Sequence, residues 1–510
     1  MRTHARIGLT ALAAMAAAGW SRDCAPPAAR AAEDSAVVLM NVAADPTISL
    51  SVQFAVGSQD DPPGKEGLAY LTGQMLSDAA TESRSLDEIL AALYPLAASY
   101  GIRVDVERST FTGRVHRDNL DAYLELFTEA LLHPKFGDDD FERVRSDAVN
   151  ALENTLRYSS DEELGKAALR ELVFRGTPYA HPTDGTVAGL KAITLANVRE
   201  FYRRHFTRGN VQLGMGGGFD TTLVARLEAA LRELPEGSAT PAPAIAPAAI
   251  AGRSALLIDK PGADASISFG FPIAVHRGER DFYALWVANS WLGEHRNSAS
   301  HLFNVIREKR GLNYGDYSYI EAFPEGGQRN MPPVNVPRRT QLFEVWIRTL
   351  PNAQAPFALR AALRELKLLV DNGMTAEDFE LTRTFLKKYS LHYAETTAAR
   401  LGYAVDDRFY GIGGEGHLAR FRRIMDELTV EEVNAAIKRH WQYDDLKIAI
   451  VTGDAAVMKT LLASDTPTPI TYPNPLPDAV VAEDREIAVV PLALPAERIE
   501  IVPVDEAFER

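Results

Sequence analysis

Apolar and polar side chains alternate from Ile48 to Val56, the period of a half-buried strand. The period then lengthens. Gly64 to Leu76 carries apolar residues at helical spacing, and Ser85 to Tyr100 reads as a second helix. Ile102 to Val115 alternates again and predicts two strands with a turn near Ser109. Helices are expected over Arg117 to Leu132, Asp138 to Arg157 and Asp161 to Phe174. The Asp138-Asp139-Asp140 run falls at a helix start, where acidic side chains complement the backbone dipole. After a loop from His181-Pro182 to Gly185 come a helix (Thr194 to His205), a strand (Val211 to Met215) and a helix to Leu234 capped by Asp220.

Gly237 to Gly252 breaks this rhythm. It is rich in Pro and Ala, nearly uncharged, and reads as a linker. Beyond it the pattern restarts: Ile267 to Val275 matches Ile48 to Val56 at both ends. Ile193-Thr194 through Val198 to Arg204-His205-Phe206 aligns without gaps on Leu428-Thr429, Val433 and Arg439-His440-Trp441, an offset of 235 residues. Each half then enters a strand and reaches Gly-Phe-Asp220 or Gly-Asp454. A period that long is a duplicated domain, not a solenoid. The expected division is an N-terminal leader (1–31), a first lobe (36–236), the linker (237–252), a second lobe (253–455) and a tail (456–510) in which Ile487 to Val502 alternates like a strand. The fold class is α+β, two homologous α/β-sandwich lobes. Two lobes on a linker could close as a clamshell over a ligand or pack rigidly, and periodicity does not choose.

The chain has 510 residues and a net charge of −15, which argues against nucleic-acid or anionic-membrane partners. Arg2, His4 and Arg6 precede an apolar, Ala-rich run from Ile7 to Trp20, and Ala29-Arg30-Ala31 offers a small-residue cleavage site. That is the pattern of an export signal and predicts a periplasmic or secreted protein. No other apolar run approaches the roughly 20 residues of a membrane helix. The only cysteine, Cys24, falls inside the leader.

Candidate chemistry centres on Gly64-Lys65-Glu66-Gly67-Leu68-Ala69-Tyr70-Leu71-Thr72-Gly73-Gln74-Met75-Leu76. This frame resembles the zinc helix of the insulinase/pitrilysin-type metallopeptidases, G-L-A-H-x-x-E-H-M-L. The inverted motif H-x-x-E-H sets two His and a general-base Glu on one helical face. Here Tyr70 stands for the first His, Gly73 for the base and Gln74 for the second His, so all three chemical positions are lost. The family's third ligand, a Glu, would fall near Asn150 and Ala151, with Glu153 close by. Arg307-Glu-Lys-Arg-Gly-Leu-Asn-Tyr314 resembles the family's R-x-x-x-G-L-x-Y segment, whose Arg and Tyr reach substrate backbone across the cleft. Arg307 would close a helix from His301, Gly311 would break it, and Tyr314 would open a strand.

No metal is therefore expected in this chain. The resemblance implies a zinc-less subunit of a heterodimeric metalloendopeptidase. Arg307 and Tyr314 would bind peptide substrates, and a zinc-bearing insulinase-family subunit would be the partner and hold the cofactor. Two other readings stand beside it: a non-enzymatic scaffold or peptide-binding protein, like core subunits of respiratory complexes in the same superfamily, and a lone peptidase with a displaced metal site. The remaining histidines do not build such a site. His205 and His440 occupy equivalent repeat positions beside aromatics, Glu294-His295 and His301 do not stack on one face, and His181 is a loop residue. Gly214 to Gly218 follows a strand without the Lys-Ser/Thr of a phosphate loop and reads as a strand-end turn. Asp406-Asp407 could be a carboxylate pair.

Overall fold

The computed structural model of the chain describes residues 37–239, 241–243, 245–295, 297–323 and 335–510. The leader over 1–31 and Cys24 lie outside them. The first sheet is built from β1 (Val37–Asn41), β2 (Thr47–Phe54), β3 (Ser99–Val104), β4 (Ser109–His116) and β5 (Val211–Gly217), in the order β1-β5-β2-β4-β3. The second uses β6 (Ser254–Asp259), β7 (Ala265–Ile273), β8 (Asp316–Tyr319), β9 (Gln341–Leu350), β10 (Lys447–Thr452) and β11 (Ile499–Pro503), in the order β11-β6-β10-β7-β9-β8. Without β11 the two orders superimpose strand for strand. In each, only the β1·β5 or β6·β10 pair of the common core is parallel. The duplication read from the sequence is thus a duplication of topology.

Helices of the first half are α1 (Leu68–Ser77), α2 (Leu86–Leu93), α3 (Leu120–Leu132), α4 (Asp138–Asn150), α5 (Asp161–Phe174), α6 (Val187–Ala192), α7 (Leu195–His205) and α8 (Thr221–Leu231). Those of the second are α9 (Arg280–Gly293), α10 (Ala355–Asn372), α11 (Ala376–Tyr389), α12 (Thr397–Phe409), α13 (Gly416–Glu427), α14 (Val430–His440), α15 (Ala455–Ser464) and α16 (Asp478–Ile487). At the 235-residue offset, α7 and α14 both start on a Thr capping box, Thr194 with Asn197 and Thr429 with Glu432. Asp220 caps α8 as expected, accepting from the backbone N–H groups of Thr222 and Leu223 at 3.0 Å.

Each sheet is covered on one face by a helix from the other half. Helix α5 crosses the second sheet against β7, β10 and β9, while α12 crosses the first against β5 and β1. Leu164, Leu169, Leu172, Val173 and Phe174 of α5 are buried in one cluster with Leu256, Ile258, Ala449 and Val451. Five such side chains are worth roughly 8–15 kcal/mol of burial. A clamshell opening would strip both sheets, so the exchange decides for rigid packing. It also explains the glycines of β5, which are strand residues and not the expected turn. A Cβ on Gly214 would come within 2.9 Å of Val405 Cγ2, and one on Gly216 within 3.1 Å of Thr397 Cγ2. The absent side chains let α12 lie flat.

Other boundaries depart from periodicity for local reasons. The helix expected to Tyr100 ends at Leu93, because a turn over Tyr94-Pro95-Leu96 leads to Ala97 at φ +47° and Ser99 already belongs to β3. The turn between β3 and β4 is Asp105–Arg108, closed by a 2.7 Å bond from Asp105 N–H to Arg108 C=O, so Ser109 opens β4. Helix α4 widens into a π-helix over Ala151–Ser159. In the last segment, Ile487 ends α16 and only Ile499–Pro503 forms a strand, β11, beside β6. Residues beyond β11 return to the first half. Phe508 and Glu509 accept backbone bonds from Val187 and Ala188 at 3.1 and 2.9 Å, and Arg157 Nε donates to Ala507 C=O at 2.9 Å.

Candidate functional site

Helix α1 carries the degenerate motif. Gly67, its cap, sits at φ +106°, and a Cβ there would meet Leu190 Cδ2 at 2.6 Å, so both conformation and space require glycine. The exposed N–H groups at this end go to a remote carboxylate: Asp61 accepts from Gly67 and Ala69 at 2.7 Å each. Burial pushes the Asp61 carboxyl well above its usual range despite these two bonds. His181 Nε2 lies 3.8 Å from Asp61, while its Nδ1 donates to Pro182 C=O at 2.8 Å; burial holds the imidazole below its ordinary value.

Tyr70 and Gln74 are half-buried on α1, and Gly73 is buried between them. Gly73 faces the edge strand β3. A Cβ at this position would lie 2.6 Å from Val104 Cγ2 and 3.2 Å from Ile102 Cγ2. A glutamate cannot enter without forcing helix from strand. Burial, then Asp184, Asp78 and Asp147, raise the Tyr70 phenol far above neutrality, so it is no anionic ligand. Near the third expected ligand position, Glu153 is engaged by Lys191 at 3.0 Å, and Asn150 accepts from Asn154 at 2.7 Å. The residues present do not fit a zinc ion. Zinc requires His, Cys or carboxylate donors, and among the described residues no group of three or more of these could hold a metal.

Arg307 lies in a π-turn over Phe303–Glu308, its guanidinium 5.4 Å from the Phe303 ring centre and paired with Glu308. Gly311 ends the turn at φ +66°. Tyr314 is 79 % exposed in the loop before β8, which begins at Asp316 and not, as expected, at Tyr314. The loop is held from inside: Asn313 Nδ2 donates to Asp316 Oδ1 at 2.8 Å and to Arg348 C=O at 3.2 Å. The segment is anchored by Arg310, whose buried guanidinium reaches Asp484 and Glu483 of α16 at 2.7 Å each. Arg307 and Tyr314 are thus displayed on a braced surface, and among the described residues none covers Tyr314.

Between the halves lies a charge network that periodicity does not reveal. Asp406 accepts from Arg108 at 3.0 Å and from Arg277 at 2.9 Å; Arg277 also holds Glu321 at 2.7 Å. Arg338 pairs with Asp105 at 3.0 Å and Arg339 with Glu107. Burial would raise Asp105, but Arg338 and Arg103 hold it down at about 2. Asp406-Asp407 is therefore no carboxylate pair. Asp406 is a bridge between lobes, and Asp407 accepts from the His417 N–H at 3.0 Å. The alternation Asp105-Val106-Glu107-Arg108 and the doublets Arg338-Arg339 and Asp406-Asp407 are its traces in the sequence. The other histidines are structural: His205 packs on Phe201, His440 meets Asp281 at 2.7 Å, His301 meets Glu365 at 2.6 Å, and His295 bonds Tyr319. Asp138–Asp140 form the first turn of α4, as expected.

Comparison with known proteins matches both halves to one family. The model described as insulinase (peptidase family M16) matches residues 36–187, and that of the peptidase M16 inactive domain matches residues 192–386. A Helicobacter pylori protein named as a non-peptidase homologue is 24% identical over 411 residues, 79% of this chain and 88% of its own. An uncharacterised zinc protease of Mycobacterium leprae is 26% identical over 435 residues, 83% of this chain and 91% of its own. The crystal structure of a peptidase M16 inactive domain from Pseudomonas fluorescens superimposes with a TM-score of 0.71 at 24% identity, covering 81% of this chain and 94% of that one.

Proposed function

We propose a function from one premise: the chain belongs to the insulinase family, peptidase family M16. It is a member of the catalytically inactive kind, with a fold retained around a helix that has lost base and ligands. From this we infer the non-catalytic subunit of a heterodimeric metalloendopeptidase. Arg307 and Tyr314 would donate to a substrate carbonyl, as guanidinium and phenol do well. A second, zinc-bearing insulinase-family subunit supplies the metal, and the setting is the periplasm or cell exterior.

The observation that carries this reading is Gly73 pressed against Val104. The catalytic position is occupied by packing, so hydrolysis needs another chain. Meanwhile Tyr314 is open to solvent and Arg307 is partly so. The test is reconstitution. Peptide cleavage should require mixing with a subunit that carries H-x-x-E-H, and should fall about tenfold or more in Arg307→Ala but not in Gln74→Ala. One zinc per isolated chain, with turnover, would refute it.

A second reading is favoured by the exchanged helices and the charged interface, which make the two lobes one rigid body: a scaffold that binds a partner without hydrolysis. It predicts a stable complex whose activity is indifferent to Arg307→Ala.

A further inference from the structure

A cavity of about 430 Å³ opens at the starts of the parallel strands β6, β10 and β11, walled on one side by the end of α5. Three cationic side chains line it: Arg175, Lys447 and Arg498. Two are partly committed. Arg175 pairs with Glu500 at 3.0 Å and with Glu171 at 3.5 Å, and Arg498 donates to Ala251 C=O at 2.6 Å. The Arg498 guanidinium rests over Gly252, the linker's last residue, which sits at φ +68°. Lys447 is different. It is half-buried, its Nζ donates to Ser254 Oγ at 3.0 Å, and it has no carboxylate partner among the described residues. Burial, then Arg175 and Arg498, weaken its hold on a proton, so the three cations act on one another. The facing carboxylates are Glu497 and Glu500, and Glu500 belongs to Arg175.

From this convergence we propose that the cavity binds the oxyanion of a small ligand, a phosphate or carboxylate group, with Lys447 as its main contact and Arg498 and Arg175 beside it. An anion there relieves the mutual repulsion of the cations and gives Lys447 the charged partner it lacks. The site is remote in sequence from the motif helix and from Arg307–Tyr314, and it stands independently of the function proposed above.

Titration calorimetry on the whole chain tests it with two probes, inorganic phosphate and an acetylated tripeptide with a free C-terminal carboxylate. At least one should bind saturably, and Lys447→Met, which keeps the aliphatic stem, should weaken that binding tenfold or more. Lys447→Arg should retain it, and Lys388→Met, at an exposed position of α11, should leave it unchanged. The probe that binds more tightly identifies the source of the oxyanion, and amidating the tripeptide should abolish its binding. Absence of saturable binding to both probes overturns the proposal. So does binding that Lys447→Met leaves intact while its melting temperature matches the wild type, or that Lys388→Met weakens equally.

Discussion

At the scale of single residues, Gly73 and Glu344 are the informative positions. Restoring the metallopeptidase motif with Tyr70→His, Gly73→Glu and Gln74→His should not create a zinc site, because Val104 occupies the space that Glu would need. Gly73→Glu alone should destabilise the protein by about 1–3 kcal/mol, the usual cost of overpacking, read by urea denaturation, with metal content measured on the triple variant. Glu344, buried in β9, has its carboxyl pushed up to about 7 by burial, only partly offset by Lys166, Arg170 and Arg338. A carboxyl raised in the folded state binds its proton more tightly there than when unfolded. Its penalty on stability is therefore present above pH 7 and fades as pH falls from 7 toward the ordinary carboxylate range. Glu344→Gln should stabilise the chain at pH 8 by a few kcal/mol at most, a gain that vanishes by about pH 4.5; thermal melts across this range check it.

At the scale of elements, the exchanged helices are the testable feature. Gly214 and Gly216 were legible in the sequence only as a glycine-rich strand end, since no local pattern says what lies on top of a strand. Gly214→Val should displace α12 through Val405 and cost about 1–3 kcal/mol, more than the same change at Gly101, around which there is open space. Asp406 belongs to this scale as well, since it bridges Arg108 and Arg277 across the interface. Asp406→Ala leaves two buried guanidiniums without their shared partner and should cost about 3–5 kcal/mol, whereas an exposed aspartate such as Asp121 should matter little. Equilibrium unfolding of the four variants checks both comparisons. The strands were readable in place but not in their ends: β2 follows the alternation of its residues, β4 begins at Ser109 because the turn is Asp105–Arg108, and β5 runs on through its glycines to Gly217; helix errors fall where a proline, a positive φ or a widened helix intervenes. Those are tertiary and steric events that periodicity does not encode.

At the scale of the whole molecule, the two halves are packed into each other through α5 and α12. Described residues of each half bury their apolar faces under a helix of the other, so a single unfolding transition is expected, and either half expressed alone should fail to give a soluble folded domain. The last residues strengthen the coupling. Phe508 is buried and its neighbours bond Arg157 and α6 of the first half. Deleting residues 504–510 should lower stability by roughly 2–4 kcal/mol and raise amide exchange over Ala151–Ser159 and Val187–Ala192.

The duplication, the α+β class, the family frame and the lack of ligating side chains at Tyr70, Gly73 and Gln74 can be read along the chain, because each is written in local identity or in periods of two and 3.6 residues. Packing alone sets the exchange of helices between the lobes, the meeting of Asp105, Arg277, Arg338 and Asp406 at their interface, the place of Tyr314 in a loop, and the gathering of cations at the β6–β10–β11 cavity. Those juxtapositions join residues far apart in the chain, 325 positions for Arg175 and Glu500 and 371 for Val37 and Arg408. Chain packing brings them together, and no local pattern in either segment encodes the other.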